Sequence, residues 1–295
     1  MNFNWYRYQL GDFECFALRD GSFNYPRESL FANAPGAQLN QCLHEHGLPL
    51  EHVVTPYTCL LVDTGQHRVL IDTGAGNIAE HATKVFPSVD HSTTVTGQLT
   101  QNIMAAGIQP DSIDVVLITH AHPDHVGGNL NDAGELVFRN AHYFIAKQEW
   151  QFWTSDAADV KAPASMVHMA RRNLEPLQDR LTLVGDADEV VPGITILATP
   201  GHTPGHIAVS ISSGAEHLLH VSDVVLHPLH LEHPDWLPVF DIDPQEAQRS
   251  KRMIFDKAAD EQLLLFAHHF PPFPNLGHVL RKGPGWKWQP VKTTA

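Results

Sequence analysis

The stretch Ile113-Asp114-Val115-Val116-Leu117-Ile118-Thr119-His120-Ala121-His122-Pro123-Asp124-His125-Val126-Gly127-Gly128 decides how the rest of the chain is read. Residues 113–119 form a continuous apolar run of the kind buried on both faces, an inner strand of an α/β fold. The run passes directly into His120, His122, Asp124 and His125. In an extended segment His120 and His122 project to the same side, which suits two ligands of one ion. Asp124 and His125 then bend away and are placed to serve a second ion. The Gly127-Gly128 pair lets the chain turn tightly.

Polar residues recur at the ends of other apolar runs. His202 lies in Gly201-His202-Thr203-Pro204-Gly205-His206, after an apolar strand at 194–199. Asp223 follows a strand at 217–221, and His268-His269 follow one at 263–267. Ligands at the carboxyl ends of several strands converge on one rim, where α/β folds build their sites.

The remaining pattern is strand-rich. Residues 12–19 alternate as a strand closed by the turn Asp20-Gly21, and residues 21–53 read as an irregular insert with one short helix around 37–45. Strands at 58–63 and 68–72 flank a hairpin turn, and a helix over 96–106 stops at Gly107. Further strands are predicted at 141–146, 181–184 and 207–212, with helices from Pro163 towards Asp179 and from Pro244 towards Ala259. The helices do not follow the strands one for one, which argues against a TIM barrel. Two strand-rich halves, about 1–155 and 156–290, read as one domain over 1–295.

Composition narrows the function. Of 295 residues, 43% are hydrophobic and 18% charged, as in globular and not disordered chains. Lys+Arg 19 against Asp+Glu 33 gives −14, which argues against nucleic-acid and anionic-membrane binding. Cys15, Cys42 and Cys59 form no CxxC pair, so neither a disulfide scaffold nor a Cys-type zinc finger is expected. The N-terminal stretch lacks the features of a signal peptide and no apolar run reaches the ~18 residues of a membrane span. The expected location is cytoplasmic. The 21 histidines exceed what a fold needs. Several of them, such as His44, His46, His81 and His91, read as solvated surface residues.

The series His120-x-His122-x-Asp124-His125, His202 in its Gly-His-Thr-Pro-Gly-His segment, Asp223 and a late histidine resembles the metallo-β-lactamase-fold hydrolases. Asp72, in Asp72-Thr73-Gly74, matches that family's first motif, and the resemblance spans about residues 8–280. It implies an α/β fold of α+β type, a four-layer αββα sandwich with a dinuclear site at one edge of its sheets. Carried over, His120, His122 and His202 hold one ion, Asp124, His125 and His269 the other, and Asp223 bridges them. Asp72 orients a ligating imidazole, and His206, His227 and His268 are candidates for the layer behind the ligands. His269 is preferred to His268 because Phe270-Pro271 follow it as in the family's His-Phe-Pro. The prolines of 270–274 leave a shift of one residue open. The donor set admits zinc, the preferred ion, and also manganese, iron or cobalt. The implied chemistry is a metal-bridging hydroxide that opens a small ester, with Asp124 or Asp223 orienting the water or passing on its proton. No GxSxG nucleophile elbow occurs.

Within that family, Asp223 and the absence of any cysteine beyond the metal motif argue against antibiotic hydrolysis. The acidic chain without an RNA-gripping insert argues against nuclease activity. Residues 11–21, His227-Pro228, Pro234-Asp235-Trp236 and Asp241-Ile242-Asp243-Pro244 resemble the branch of N-acyl homoserine lactonases and methyl-parathion-type hydrolases. The substrate implied is a small lactone. The alternatives are an organophosphate or aryl ester at the same site, a thioester as in glyoxalase II, and a metal-binding sensor without turnover. Many lactonases of this branch carry a tyrosine where this chain has Leu226. The apolar walls expected for the pocket are Phe23, Tyr25, Leu30, Phe31, Leu226, Phe270 and Phe273, while Trp236, Trp286 and Trp288 read as packing. A homodimer is compatible with this branch.

Overall fold

The apolar runs Arg68–Ile71 (β4) and Val115–Ile118 (β5) pair in parallel and are buried along nearly their whole length. They lie at the centre of a seven-stranded sheet in a computed structural model that describes residues 4–77 and 94–292. On one side the sheet continues antiparallel through His52–Asp63 (β3), Phe13–Pro26 (β2) and Trp5–Leu10 (β1). On the other it continues parallel through His142–Ala146 (β6) and Leu181–Val184 (β7). His81 and His91 lie outside the described residues.

The second sheet runs Glu189–Val191 (β8), Ile194–Ala198 (β9), Ile207–Ser213 (β10), Glu216–His220 (β11), Leu264–Phe266 (β12), Leu276–Lys282 (β13) and Gly285–Pro290 (β14) in spatial order. Only β11 and β12 are parallel within it. The first sheet therefore takes in β7 from the second of the two halves read from sequence.

Alternating side chains close the core. Cys15, Ala17, Leu60, Val62, Ile71 and Leu117 of the first sheet meet Ile194, Ile196, Val209, Ile211 and Phe266 of the second. The opposite face of the first sheet packs Leu61, Val116, Ile118 and Tyr143 against the helices Leu99–Ala105, Lys147–Trp153 and Ala164–Leu174. The outer face of the second packs Leu219, Leu265 and Val279 against Ile254, Phe255 and Ala258 of the helix Pro244–Asp260. This is the four-layer αββα sandwich. Trp286 and Trp288 face that outer helix layer, and Trp236 sits in a smaller apolar cluster with Leu30, Phe31 and Leu226. Among the described residues no helix is long and apolar enough to cross a membrane.

One reading needs correction. Asp20-Gly21 does not end the strand: β2 continues to Pro26 beside β3, with a register shift between Arg19 and Gly21. An Asp-Gly pair ordinarily marks a turn, but here the Asp20 carboxylate points inward. It accepts from the amides of Ala75 (2.8 Å), Leu99 (3.0 Å) and Gly97 (3.4 Å). Gly21 lies so close to Val95 that an added Cβ would stand 1.8 Å from its carbonyl oxygen. The two ends of the expected insert, 21–26 and 52–53, thus belong to a two-stranded extension that carries Phe23, Tyr25, Thr55 and Tyr57, and the helix expected around 37–45 is present as Gly36–Glu45.

Removing the Asp20 carboxylate strands buried amides. Asp20→Ala should lower unfolding free energy by about 3–5 kcal/mol in urea titrations. A loss below about 1 kcal/mol would show that those amides find other partners.

Candidate metal centre

Every strand that ends at the site does so at its carboxyl end. β4 delivers Asp72, β5 delivers the segment from His120 to His125, β9 leads to His202, β11 to Asp223 and β12 to His268 and His269. Two groups of ligating atoms result, each lying within 4.8 Å of one another: His120, His122, His202 and Asp223 in one, Asp124, His125, His268 and His269 in the other.

Asp223 stands between them. Its Oδ1 is 3.3 Å from His125 Nε2 and 3.2 Å from His269 Nε2. Its Oδ2 is 3.3 Å from His202 Nε2, 3.3 Å from His269 Nε2 and 3.7 Å from His120 Nε2. Asp124 Oδ2 is 3.5 Å from His269 Nε2 and 3.9 Å from His125 Nε2. His122 Nδ1 lies 2.8 Å from His202 Nε2. These separations bracket the ~3.3 Å edge of a tetrahedral zinc site with N and O ligands.

The atoms facing the centre fit a metal. His120 Nε2, His125 Nε2 and Asp223 Oδ1 are buried and carry no hydrogen bond among the described residues. Burial, with the neighbouring imidazoles, holds His120 and His122 well below the ordinary histidine pKa, so both present the neutral, ligating form. Burial works to raise Asp223, but His269 and His125 outweigh it and hold its carboxyl well below the usual range.

A second layer fixes which nitrogen faces inward. His125 Nδ1 donates to Asp72 Oδ2 at 2.8 Å, His202 Nδ1 to Asp241 Oδ1 at 2.8 Å, and His269 Nδ1 to the Pro56 carbonyl at 3.0 Å. In the neutral ring each bond turns the Nε2 lone pair towards the centre. Burial works to lower His125 and His202, but the carboxylates Asp223, Asp72 and Asp241 outweigh it and raise both, His202 to about 9, so an ion must displace a proton there. Asp72 holds φ at 61° while accepting from both the amide (2.8 Å) and hydroxyl (2.7 Å) of Thr119. His206 accepts from the Asp223 amide at 3.1 Å. Gly127 and Gly128 do not serve a tight turn: they let the loop press on residues 73–76, since added Cβ atoms would meet Ala75 O at 2.2 Å and Thr73 O at 2.0 Å.

His268 stacks at 4.2 Å over His125 with neither ring nitrogen hydrogen-bonded among the described residues, and burial keeps it neutral. His269, held by Pro56, is the one whose Nε2 reaches both Asp124 and Asp223. His227 touches neither group. It packs on Phe31, and its Nδ1 accepts from the Leu229 amide.

A pocket opens on the centre, lined by His122, Asp124, His202, Asp223 and His269 and by Phe23, Tyr25, Leu30, Thr55, Tyr57, Met166, Met169, Leu226 and Phe240. Three expected wall residues are not among them. Phe31 is buried against His230 and Trp236. Phe270, next to His269, turns to the opposite side and packs on Trp288. Phe273 lies under the Arg19 guanidinium.

Sequence reading missed Glu149, Asp241, Tyr57 and Thr55. Asp241 lay in a quoted segment without a role. Glu149 gave no signal, yet its buried carboxylate accepts from Ala121 N, Gly205 N, Thr203 Oγ1 and Trp153 Nε1, tying the two histidine-bearing loops together.

Asp72→Ala and Asp241→Ala should each weaken metal binding about 10–100-fold in chelator competition. The first should act on metal held by the group of His125 and the second on metal held by the group of His202. Unchanged affinity in both would remove the orienting role assigned to these carboxylates.

Comparison with known proteins agrees with this geometry. The chain is 26% identical over 223 residues to an N-acyl homoserine lactonase of Bacillus thuringiensis, covering 72% of this chain and 81% of that one. It superposes with a TM-score of 0.88 on AidC, a dizinc quorum-quenching lactonase solved with a product, at 29% identity over 99% of both chains. The hydrolase AbOPH, of the beta lactamase superfamily, superposes with a TM-score of 0.88 at 27% identity over 100% of both. The Metallo-beta-lactamase superfamily profile matches residues 52–269, a span that contains both ligand groups. The chain belongs to the metallo-beta-lactamase superfamily and is one of its metal-dependent hydrolases.

Proposed function

We propose that the chain is a dinuclear zinc hydrolase that opens the ring of a neutral lactone of the N-acyl homoserine lactone type, and so acts in quorum quenching. The observation that carries this reading is the place of the Asp223 carboxylate between the two groups, with His125 on Oδ1, His202 and His120 on Oδ2, and His269 within 3.3 Å of both oxygens. Two relatives named as lactonases, one by sequence and one by structure, support the substrate class.

Divalent ions bound there would supply Lewis acidity, lowering the pKa of water towards neutrality and polarising an ester carbonyl. The chain supplies the rest. Both carboxylates line the pocket, but Asp223 sets both oxygens against imidazoles, whereas Asp124 meets His269 and His125 through Oδ2. The Asp124 carboxylate takes the proton released as water adds to the carbonyl carbon. It returns that proton to the ring oxygen as the acyl C–O bond breaks, giving a hydroxy acid.

The pocket lining selects a neutral substrate. Among its described residues there is no lysine or arginine, so an anionic phosphate or a glutathione carboxylate finds no counter-charge from the chain. Phe23, Leu30, Met166, Met169, Leu226 and Phe240 provide the apolar surface that an acyl chain requires.

The test is a rate comparison on zinc-loaded protein between an N-acyl homoserine lactone and paraoxon. Lactone opening should be faster by about 100-fold or more, and chelation should abolish it. Equal activity after complete metal removal would overturn the reading. Asp124→Asn should lower kcat by about 10²–10⁴-fold, as expected for loss of a proton-transferring group.

A further inference from the structure

We infer that Thr55, with the Tyr25–Tyr57 pair, forms a hydrogen-bonding subsite that recognises an amide group carried by the substrate beside its scissile ester. This assignment rests on the hydrolase reading above and adds what selects among its substrates.

Thr55 is 1% exposed and lines the pocket, yet its Oγ1 has no hydrogen-bond partner among the described residues. A buried hydroxyl left unpaired is costly, so its presence on a ligand-facing wall calls for a partner from the ligand. Tyr25 Oη and Tyr57 Oη, on the same wall, stand 2.7 Å apart. The strand pairing that continues past Asp20 creates this surface. It sets Phe23 opposite Thr55 and Gly21 opposite Tyr57, so that Thr55 and Tyr57 share one face of β3.

Position relative to the centre follows from Tyr57. Its ring packs edge-on against His269 at 5.4 Å between centroids, and Thr55 is one step further along the strand, about 7 Å away. An ester held at the ligand groups therefore has this wall beside it, within reach of a substituent on the ring.

The chemistry of the groups specifies what that substituent is. The imidazoles and carboxylates at the centre would be occupied by bound ions and by fixing one another. Hydroxyls both donate and accept, which matches the C=O and N–H of an amide. A purely hydrocarbon substituent in the same place would leave the Thr55 hydroxyl unpaired, and a site built that way rejects it more strongly than apolar contact alone could.

The experiment compares kcat/KM of the zinc-loaded full chain for N-hexanoyl homoserine lactone and for a γ-lactone of matched length with an all-carbon side chain. The unmodified chain should favour the amide-bearing lactone by about 100-fold. Thr55→Val, which keeps the shape, should cut that ratio about tenfold with zinc content unchanged. Thr55→Ser, which keeps the hydroxyl, should restore it, and Tyr57→Phe should also lower it. A ratio unmoved by Thr55→Val, or lowered equally by Thr55→Ser, would overturn the subsite while leaving the lactonase reading intact. Failure of the unmodified zinc-loaded chain to open either lactone would overturn that reading and this assignment together.

Discussion

A single buried carboxylate constrains the architecture. Asp223 is almost fully enclosed, and an ionised carboxylate taken out of water costs several kcal/mol unless charges or hydrogen bonds compensate it. The compensation comes from imidazoles on three separate loops, those of His125, His202 and His269, which the chain delivers from the ends of β5, β9 and β12. The two sheets must therefore meet with their carboxyl ends at one edge. The inner core of Val, Ile and Leu side chains holds them in that relation.

Around Asp223 the polar groups form a continuous brace. Thr119 links Asp72 to Ser222 through its hydroxyl, at 2.7 and 2.8 Å, so the end of β5 is bonded to the ends of β4 and β11 at once. Glu149 joins the loop of His120 and His122 to the loop of His202. Burial raises the Glu149 pKa, and the donors from Thr203, Ala121, Trp153 and Gly205 pull against that. Such pre-organisation lets the imidazoles point inward without rearrangement when a ligand arrives.

Much of this was legible in the sequence because strand alternation and strand ends are local signals. The run 113–119 and the spacing of His120, His122, Asp124 and His125 required no long-range information. The αββα sandwich followed from the family resemblance, while the excess of strands excluded only a TIM barrel. What was not legible depended on register and on long-range partners. The Asp20-Gly21 bulge reads locally as a turn, and only the amides of Ala75, Gly97 and Leu99 make it otherwise. Phe270 looked like a wall residue beside His269, yet adjacent side chains diverge. Glu149 sits in a helix of mixed composition where a carboxylate ordinarily faces solvent, and its donors come from residues 121, 203 and 205.

The central proposal is that the Asp223 carboxylate would serve two metal ions, one in each ligand group. A crystal structure of the zinc-loaded protein, with anomalous difference density collected at the zinc edge, addresses it directly. Two peaks about 3.5–4 Å apart, one beside each Asp223 oxygen, are predicted. A single peak, or two peaks of which neither contacts Asp223, would contradict it.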